Sequence, residues 1–163
     1  MPEETPYFPL FISLKNRKIV LVGAGKIAAR RVKALLPFGG CITVIAPKAC
    51  PEIKALAASE MITLLLREYR PGDMNGAALA VAASNDREAN RAAGEECRRS
   101  GIPVSVADCR SECTFFFPAI AAEGSVVAGL TASGTDHRLV RRVSAQIRKL
   151  LPHLIRMSSE ESR

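Results

Sequence analysis

The sequence predicts an α/β fold, a Rossmann-like doubly wound parallel sheet followed by a small α+β dimerisation segment. Three observations predict it. A short β-rich run, Lys18 to Val22 (KIVLV), is followed at once by Gly23-Ala24-Gly25 and an amphipathic stretch. Strand and helix patterns then alternate as far as Ala107, and such alternation requires crossover units and parallel strands. After Asp108 the alternation stops, which marks a second, smaller unit.

The elements follow in order. In the stretch Lys26 to Leu36, Ala28, Val32, Leu35 and Leu36 share one helical face, while Arg30, Arg31 and Lys33 fall elsewhere. Gly39-Gly40 ends that helix, and Cys41 to Ala46 (CITVIA) supplies a second strand before Pro47. A helix over Pro51 to Ala58 comes next, then strands over Ile62 to Leu66 and Ala78 to Ala82, separated by the polar loop at Pro71-Gly72-Asp73. A helix over Asp86 to Arg99, stopped by Gly101, leads into a strand over Pro103 to Ala107. Beyond it, Thr114 to Phe117 and Ser125 to Thr131 read as strands, and Asp136 to Leu150 as a helix that Pro152 breaks, with a frayed tail over Ser158 to Arg163. The expected organisation is a dinucleotide-binding domain over residues 1–112, a dimerisation and substrate-binding segment over 113–150, and a C-terminal tail over 151–163.

Composition narrows the function classes. The 163 residues, 48% of them hydrophobic, are enough to bury a substantial core without disulfides or metals. Cys41, Cys50, Cys97, Cys109 and Cys113 form an odd set with no CxxC pair, which fits reduced thiols and not a disulfide framework. Cys109 and Cys113 lie four apart, but neither His137 nor His153 makes a zinc pattern with them, so no metal site is expected. Met1 to Leu14 carries Glu3 and Glu4 and no long apolar run, so a cytoplasmic protein without membrane association is expected. The net charge of +7 implies an anionic partner, for which nucleotides, nucleic acid and polycarboxylates all qualify. No nucleic-acid motif accompanies that charge, and Phe115, Phe116 and Phe117 are consecutive instead of spread out as stacking platforms, so nucleic acid is the weakest of the three.

The glycine turn carries the most chemistry. Gly23-x-Gly25-x-x-Ala28 sits between a strand and a helix, as a dinucleotide fingerprint requires. Gly23 permits the tight turn, Gly25 lets a pyrophosphate approach the backbone, and Ala28 allows close helix-on-strand packing. The helix N-terminus adds free N–H groups and a positive dipole end. A plain structural reading, small residues serving only a tight connection, stands beside this one. The second strand ends in Ala46-Pro47-Lys48 where an acid commonly holds the ribose hydroxyls, so Lys48 either meets a 2′-phosphate or is solvated, and the choice between NAD and NADP stays open.

Together these stretches resemble the precorrin-2 dehydrogenase and sirohydrochlorin ferrochelatase family of siroheme synthesis, also found as the N-terminal module of siroheme synthase. The matching residues are Tyr7 to Leu14 (YFPLFISL), Lys18 to Ala28 (KIVLVGAGKIA), Thr43 to Pro47 (TVIAP), Val81 to Asp86 (VAASND), Val104 to Asp108 (VSVAD), Phe116 to Ile120 (FFPAI) and Thr131 to Arg142 (TASGTDHRLVRR). The resemblance implies NAD-dependent oxidation of precorrin-2 to sirohydrochlorin by a homodimer, and it leaves insertion of ferrous iron open. It implies the dehydrogenase module alone, short of the methyltransferase domain of the fused enzyme.

By the same resemblance, cofactor contacts fall on Gly23, Ala24, Gly25, Lys26 and Ile27, and on Pro47 and Lys48. Asn85 and Asp86, after the fourth strand, line the same cleft. The family's key carboxylate falls on Asp108, which would take a proton from the macrocycle or help hold a metal; a turn aspartate is the bland alternative. A serine in the active site of some members corresponds to Ala132, or by a one-residue shift to Ser133. Arg138, Arg141 and Arg142 either orient the carboxylates of precorrin-2 or form a solvated face. Thr135 or Asp136 suits an N-cap for the last helix, with catalysis by Asp136 and His137 as the minority reading. A non-catalytic NAD(H)-sensing module would need the same glycine turn but no polyanion pocket, and is the alternative function.

Overall fold

The computed structural model describes residues 7–132 and 135–160. The chain divides into two compact units, one spanning Ile12–Phe115 and one combining Phe116 onward with the N-terminal residues up to Phe11.

The larger unit is a five-stranded parallel sheet. Its strands are β1 (Lys18–Val22), β2 (Cys41–Ile45), β3 (Thr63–Leu65), β4 (Leu79–Ala82) and β5 (Val104–Val106), in the order β3-β2-β1-β4-β5. Its helices are α1 (Lys26–Leu35), α2 (Pro51–Ala58) and α3 (Arg87–Arg99). The doubly wound parallel sheet predicted from the alternation is therefore present. Each element lies within a residue or two of its predicted span; α1 tightens into a 3-10 turn at Leu36–Phe38 before Gly39.

Both faces of the sheet are buried, as crossover helices demand. Successive strand residues point to opposite faces, so Val20 and Val22 go one way and Ile19 and Leu21 the other, all of them buried. On the first face Val20, Val22, Ala80, Ala82, Val104 and Val106 pack with Ala93 and Cys97 of α3 and with Met74. Each fully buried valine or isoleucine here contributes roughly 1.5–3 kcal/mol of transfer free energy. From α1, Ala28, Val32 and Leu35 are buried as their spacing predicts, and Ala29 joins them.

A buried carboxylate ties the β3–β4 connection to α3. Glu96 accepts hydrogen bonds from the Gly72 and Met74 backbone N–H groups, each at 3.0 Å, and from the Tyr69 hydroxyl. Burial and that bond to Glu96 push the Tyr69 phenol well above its ordinary pKa.

The second unit holds an antiparallel hairpin, β6 (Ala119–Glu123) and β7 (Val126–Leu130), and the helix α4 (His137–Glu160). Here the structure corrects two expectations. Residues 114–117 are not a strand; the chain enters the sheet only after Pro118, because a proline supplies no ladder donor and the two-residue Gly124-Ser125 turn sets the register Glu123↔Val126. Pro152 does not break the last helix, which continues through it to Glu160. The apolar pattern persists beyond the proline at Leu154, Ile155 and Met157, so one missing N–H does not outweigh a continuous helical face. Within this unit the Arg148 side chain donates to the Ile120 carbonyl at 3.0 Å, and the Tyr7 ring meets Phe116 edge-on at 4.7 Å.

Candidate functional site

The parallel sheet places one end of every strand at a single edge. The register pairs Val22 with Ile45 and with Ala82, and Ala82 with Val106, so β1, β2, β4 and β5 finish flush. Strand order reverses between β1 and β4, and in such sheets ligands bind outside the carboxyl ends at this switch point. The candidate residues that follow β1, β2, β4 and β5 are brought to that edge.

After β1, Gly23 has a φ of +99°, and a Cβ there would stand 2.4 Å from the Ala83 carbonyl oxygen, so only glycine fits the turn. Gly25, the N-cap of α1, differs. Its φ of −87° suits any residue, and among the described residues no atom comes within 4 Å of where a Cβ would be. Gly23 thus lets the backbone pack on β4, whereas Gly25 leaves open space at a helix N-terminus with no acid in its first turn. That combination, open backbone and a positive dipole end, fits a pyrophosphate group. Lys26 and Ile27 are exposed in the first turn, and Ala28 is fully buried. The turn is anchored from two sides: Gly23 N–H donates to Ile45 O at 2.8 Å, and Cys50 N–H donates to Ala24 O at 2.9 Å.

After β2, Pro47 and Lys48 are exposed at the same edge. After β4, Asn85 is exposed, and Asp86 caps α3 by accepting from Glu88 N–H at 2.9 Å and Ala89 N–H at 3.3 Å. Its carboxylate is thereby engaged by its own helix.

Asp108 lies just past β5, with its side chain 37% exposed. One oxygen, Oδ2, accepts from the Asn90 side-chain amide at 2.9 Å; the other, Oδ1, lies 3.8 Å from the Arg87 guanidinium, beyond hydrogen-bond reach. Arg87 is bonded instead to Glu112, and that bond raises the arginine's pKa and holds the glutamate below its ordinary range. β1 and β5 are separated only by β4, so the glycine turn and Asp108 stand roughly 10 Å apart along the ladder direction.

Sequence reasoning missed Asn90, Ser84, Arg87 and Glu112. For Asn90 a signal existed: it falls on the same α3 face as Ala93 and Cys97, and a lone amide on an apolar stripe, here with 0% exposure, needs buried partners.

The remaining candidates belong to the second unit. Arg138, Arg141 and Arg142 are exposed on α4. Asp136 caps that helix, accepting from Leu139 N–H at 2.8 Å, which is the capping role expected for it. Ser133 lies outside the described residues. No helix among the described residues is long and apolar enough to cross a membrane.

Fold and turn define a dinucleotide-binding α/β domain. Comparison with known proteins narrows this further. A family model described as "Putative NAD(P)-binding" matches residues 10–119, and the chain belongs to that family. The chain is 42% identical over 144 residues to the "Probable multifunctional siroheme biosynthesis protein HemA" of Ruminiclostridium josui, covering 88% of this chain and 28% of that protein. It is 35% identical over 147 residues to the siroheme synthase of Nitrosomonas europaea, covering 90% and 31%. It thus spans about three-tenths of the length of these curated relatives. Among solved structures, SirC, a precorrin-2 dehydrogenase, superposes with a TM-score of 0.75 at 25% identity, covering 88% of this chain and 70% of that one.

Proposed function

We propose that the chain is an NAD-dependent precorrin-2 dehydrogenase of siroheme biosynthesis, working in the cytoplasm as a homodimer. The observation that carries this reading is the shared sheet edge, where an open glycine turn and the Asp108 carboxylate stand two strands apart. The likeness to SirC and to siroheme synthases supports the choice of reaction.

NAD, when bound, would supply the hydride acceptor for a reduced carbon of the macrocycle, the overall change being precorrin-2 and NAD to sirohydrochlorin, NADH and a proton. The chain's own residues do the rest. Gly25 and the first-turn N–H groups of α1 hold the pyrophosphate, and Lys26 adds a positive charge beside it. Pro47, Lys48 and Asn85 line the adenosine and nicotinamide arms of the cleft, while Asp86 fixes the start of α3. Asp108 Oδ1 takes the proton released as the hydride leaves, so that charge does not build up on the macrocycle. In this reading Arg138, Arg141 and Arg142 pair with substrate carboxylates through forked hydrogen bonds, and Ser133 is a further substrate contact by the family resemblance. The apolar stripe of α4, with Leu139, Val143, Leu150, Leu154 and Met157 exposed, supports association with a second copy.

The test is spectroscopic. Purified protein mixed with NAD and precorrin-2 should produce NADH absorbance and the sirohydrochlorin spectrum together, at equal molar rates. A chain that takes up NAD but yields neither signal would be the non-catalytic sensor instead.

A further inference from the structure

We infer that Asn90 is the positioning residue for Asp108, a buried amide that fixes which carboxylate oxygen faces the reacting centre. The inference rests on the proposed role of Asp108 as proton acceptor.

Asn90 has no exposed surface and sits one helical turn into α3. Its Oδ1 accepts from Ser84 N–H at 2.9 Å, and its Nδ2 donates to Ser84 O at 3.0 Å and to Asp108 Oδ2 at 2.9 Å. The orientation of the amide follows from its neighbours. Ser84 N–H can only donate, so the amide oxygen must face it; the NH2 group then points at two acceptors and both its protons are used. The side chain therefore has no alternative arrangement in which Asp108 keeps its bond.

The other group beside Asp108 does not share this task. The Arg87 guanidinium is committed to Glu112, and among the described residues its Nη1, 3.8 Å from Asp108 Oδ1, has no hydrogen-bond partner. Arg87 supplies field, while Asn90 supplies direction. Because Oδ2 is held by Asn90, Oδ1 is the oxygen left to meet substrate. The same amide grips both backbone groups of Ser84, at the start of the β4–α3 loop, and so sets the carboxylate against the loop that lines the cofactor edge.

A misplacement of about 1 Å at a reacting group can cost on the order of 100-fold in rate. Asn90→Leu keeps the volume and removes every bond. It should lower kcat by about that factor, with KM for precorrin-2 changed far less. The decisive measurement is a double-mutant cycle. In an Asp108→Ala background, adding Asn90→Leu should cost at most about a few-fold in kcat, against about 100-fold in the parent, because the carboxylate that Asn90 positions is gone. If the two losses multiply, Asn90 does not work through Asp108 and the inference falls. If Asp108→Ala alone leaves turnover intact, the proposed role of Asp108 fails first, and the two failures are thereby distinguished.

Should Asn90→Leu fold poorly by circular dichroism, Asn90→Asp serves. It retains the acceptor for Ser84 N–H but sets a second carboxylate against Asp108, with Arg87, Glu112 and Cys109 still around the pair. Two such carboxylates cannot both ionise easily. The acidic limb of the kcat profile should therefore move up by about one pH unit or more, while NAD affinity stays within about threefold. A profile that keeps its limb in place would overturn the inference.

Discussion

Gly25→Asp separates what the glycine turn does for the fold from what it does for the ligand, because the two effects have opposite signs. The backbone at Gly25 (φ −87°, ψ −170°) is ordinary for an aspartate, and a Cβ meets no atom of the described residues within 4 Å, so the substitution introduces no strain or clash there. Aspartate is moreover a good N-cap, better than glycine by a few tenths of a kcal/mol, and α1 has no side-chain cap at present. For a chain of this size that corresponds to a rise in Tm of about 1 °C. The ligand fares differently. The new carboxylate fills the space meant for the pyrophosphate and takes the N–H donors at the helix start. Losing two charge-assisted hydrogen bonds at roughly 1.5–3 kcal/mol each removes about 3–6 kcal/mol of binding free energy. That is about 10²–10⁴-fold in Kd, before any like-charge repulsion. Calorimetric titration with NAD and a thermal scan of the same sample read both effects. An unchanged Kd, or a Tm lowered by several degrees, would refute the assignment of Gly25 to ligand and Gly23 to fold. Gly23→Ala should show the reverse. Its Cβ would collide with the Ala83 carbonyl at a positive φ, a loss of about 2–6 kcal/mol in stability.

The remaining predictions concern carboxylates. Asp108→Ala should leave NAD affinity within about twofold by titration and abolish most precorrin-2 turnover, since its side chain is bonded to the α3 amide, two strands from the glycine turn. Asp86→Ala removes the cap of α3 and should lower stability by about 1 kcal/mol in urea unfolding. Asp73 provides a pH signature: its bond to Arg67 at 2.7–2.8 Å, followed by backbone and charge effects, holds the carboxyl below its ordinary range. A depressed folded-state pKa means the stabilisation is complete above the unfolded value near 3.9 and is lost as the pH falls through the folded value. Asp73→Asn should therefore destabilise the protein at pH 7 and matter progressively less below about pH 4, as unfolding midpoints across that range would show.

How much could be read from sequence depended on whether a pattern had competitors. KIVLV followed by glycines and the Ala28, Val32, Leu35 stripe admits little besides strand, turn and helix, and β1 and α1 begin where expected. The hairpin was harder. Ala119–Glu123 is rich in alanine, a poor strand former, while the phenylalanines just before it are good ones, so local preference pointed five residues too early. Pro152 misled by the reverse error, a strong local breaker set against a longer-range helical face. At the site, residues adjacent to strand ends were legible because fold topology places them. Asn90, Arg87 and Glu112 were not, because what matters about them is a contact made across 18 or 25 residues of chain.

The Cβ-free approach of Gly23 to Ala83 and Ser84 has an evolutionary corollary. Gly23 bears on the backbone that Asn90 grips, and Asn90 in turn holds Asp108, so three positions scattered over more than eighty residues depend on one another. A change at any of them should be felt at the other two. Relatives that swap the amide should be found to have altered the strand-end carboxylate or the tight turn as well, and a random library at these sites should yield survivors mainly in matched sets.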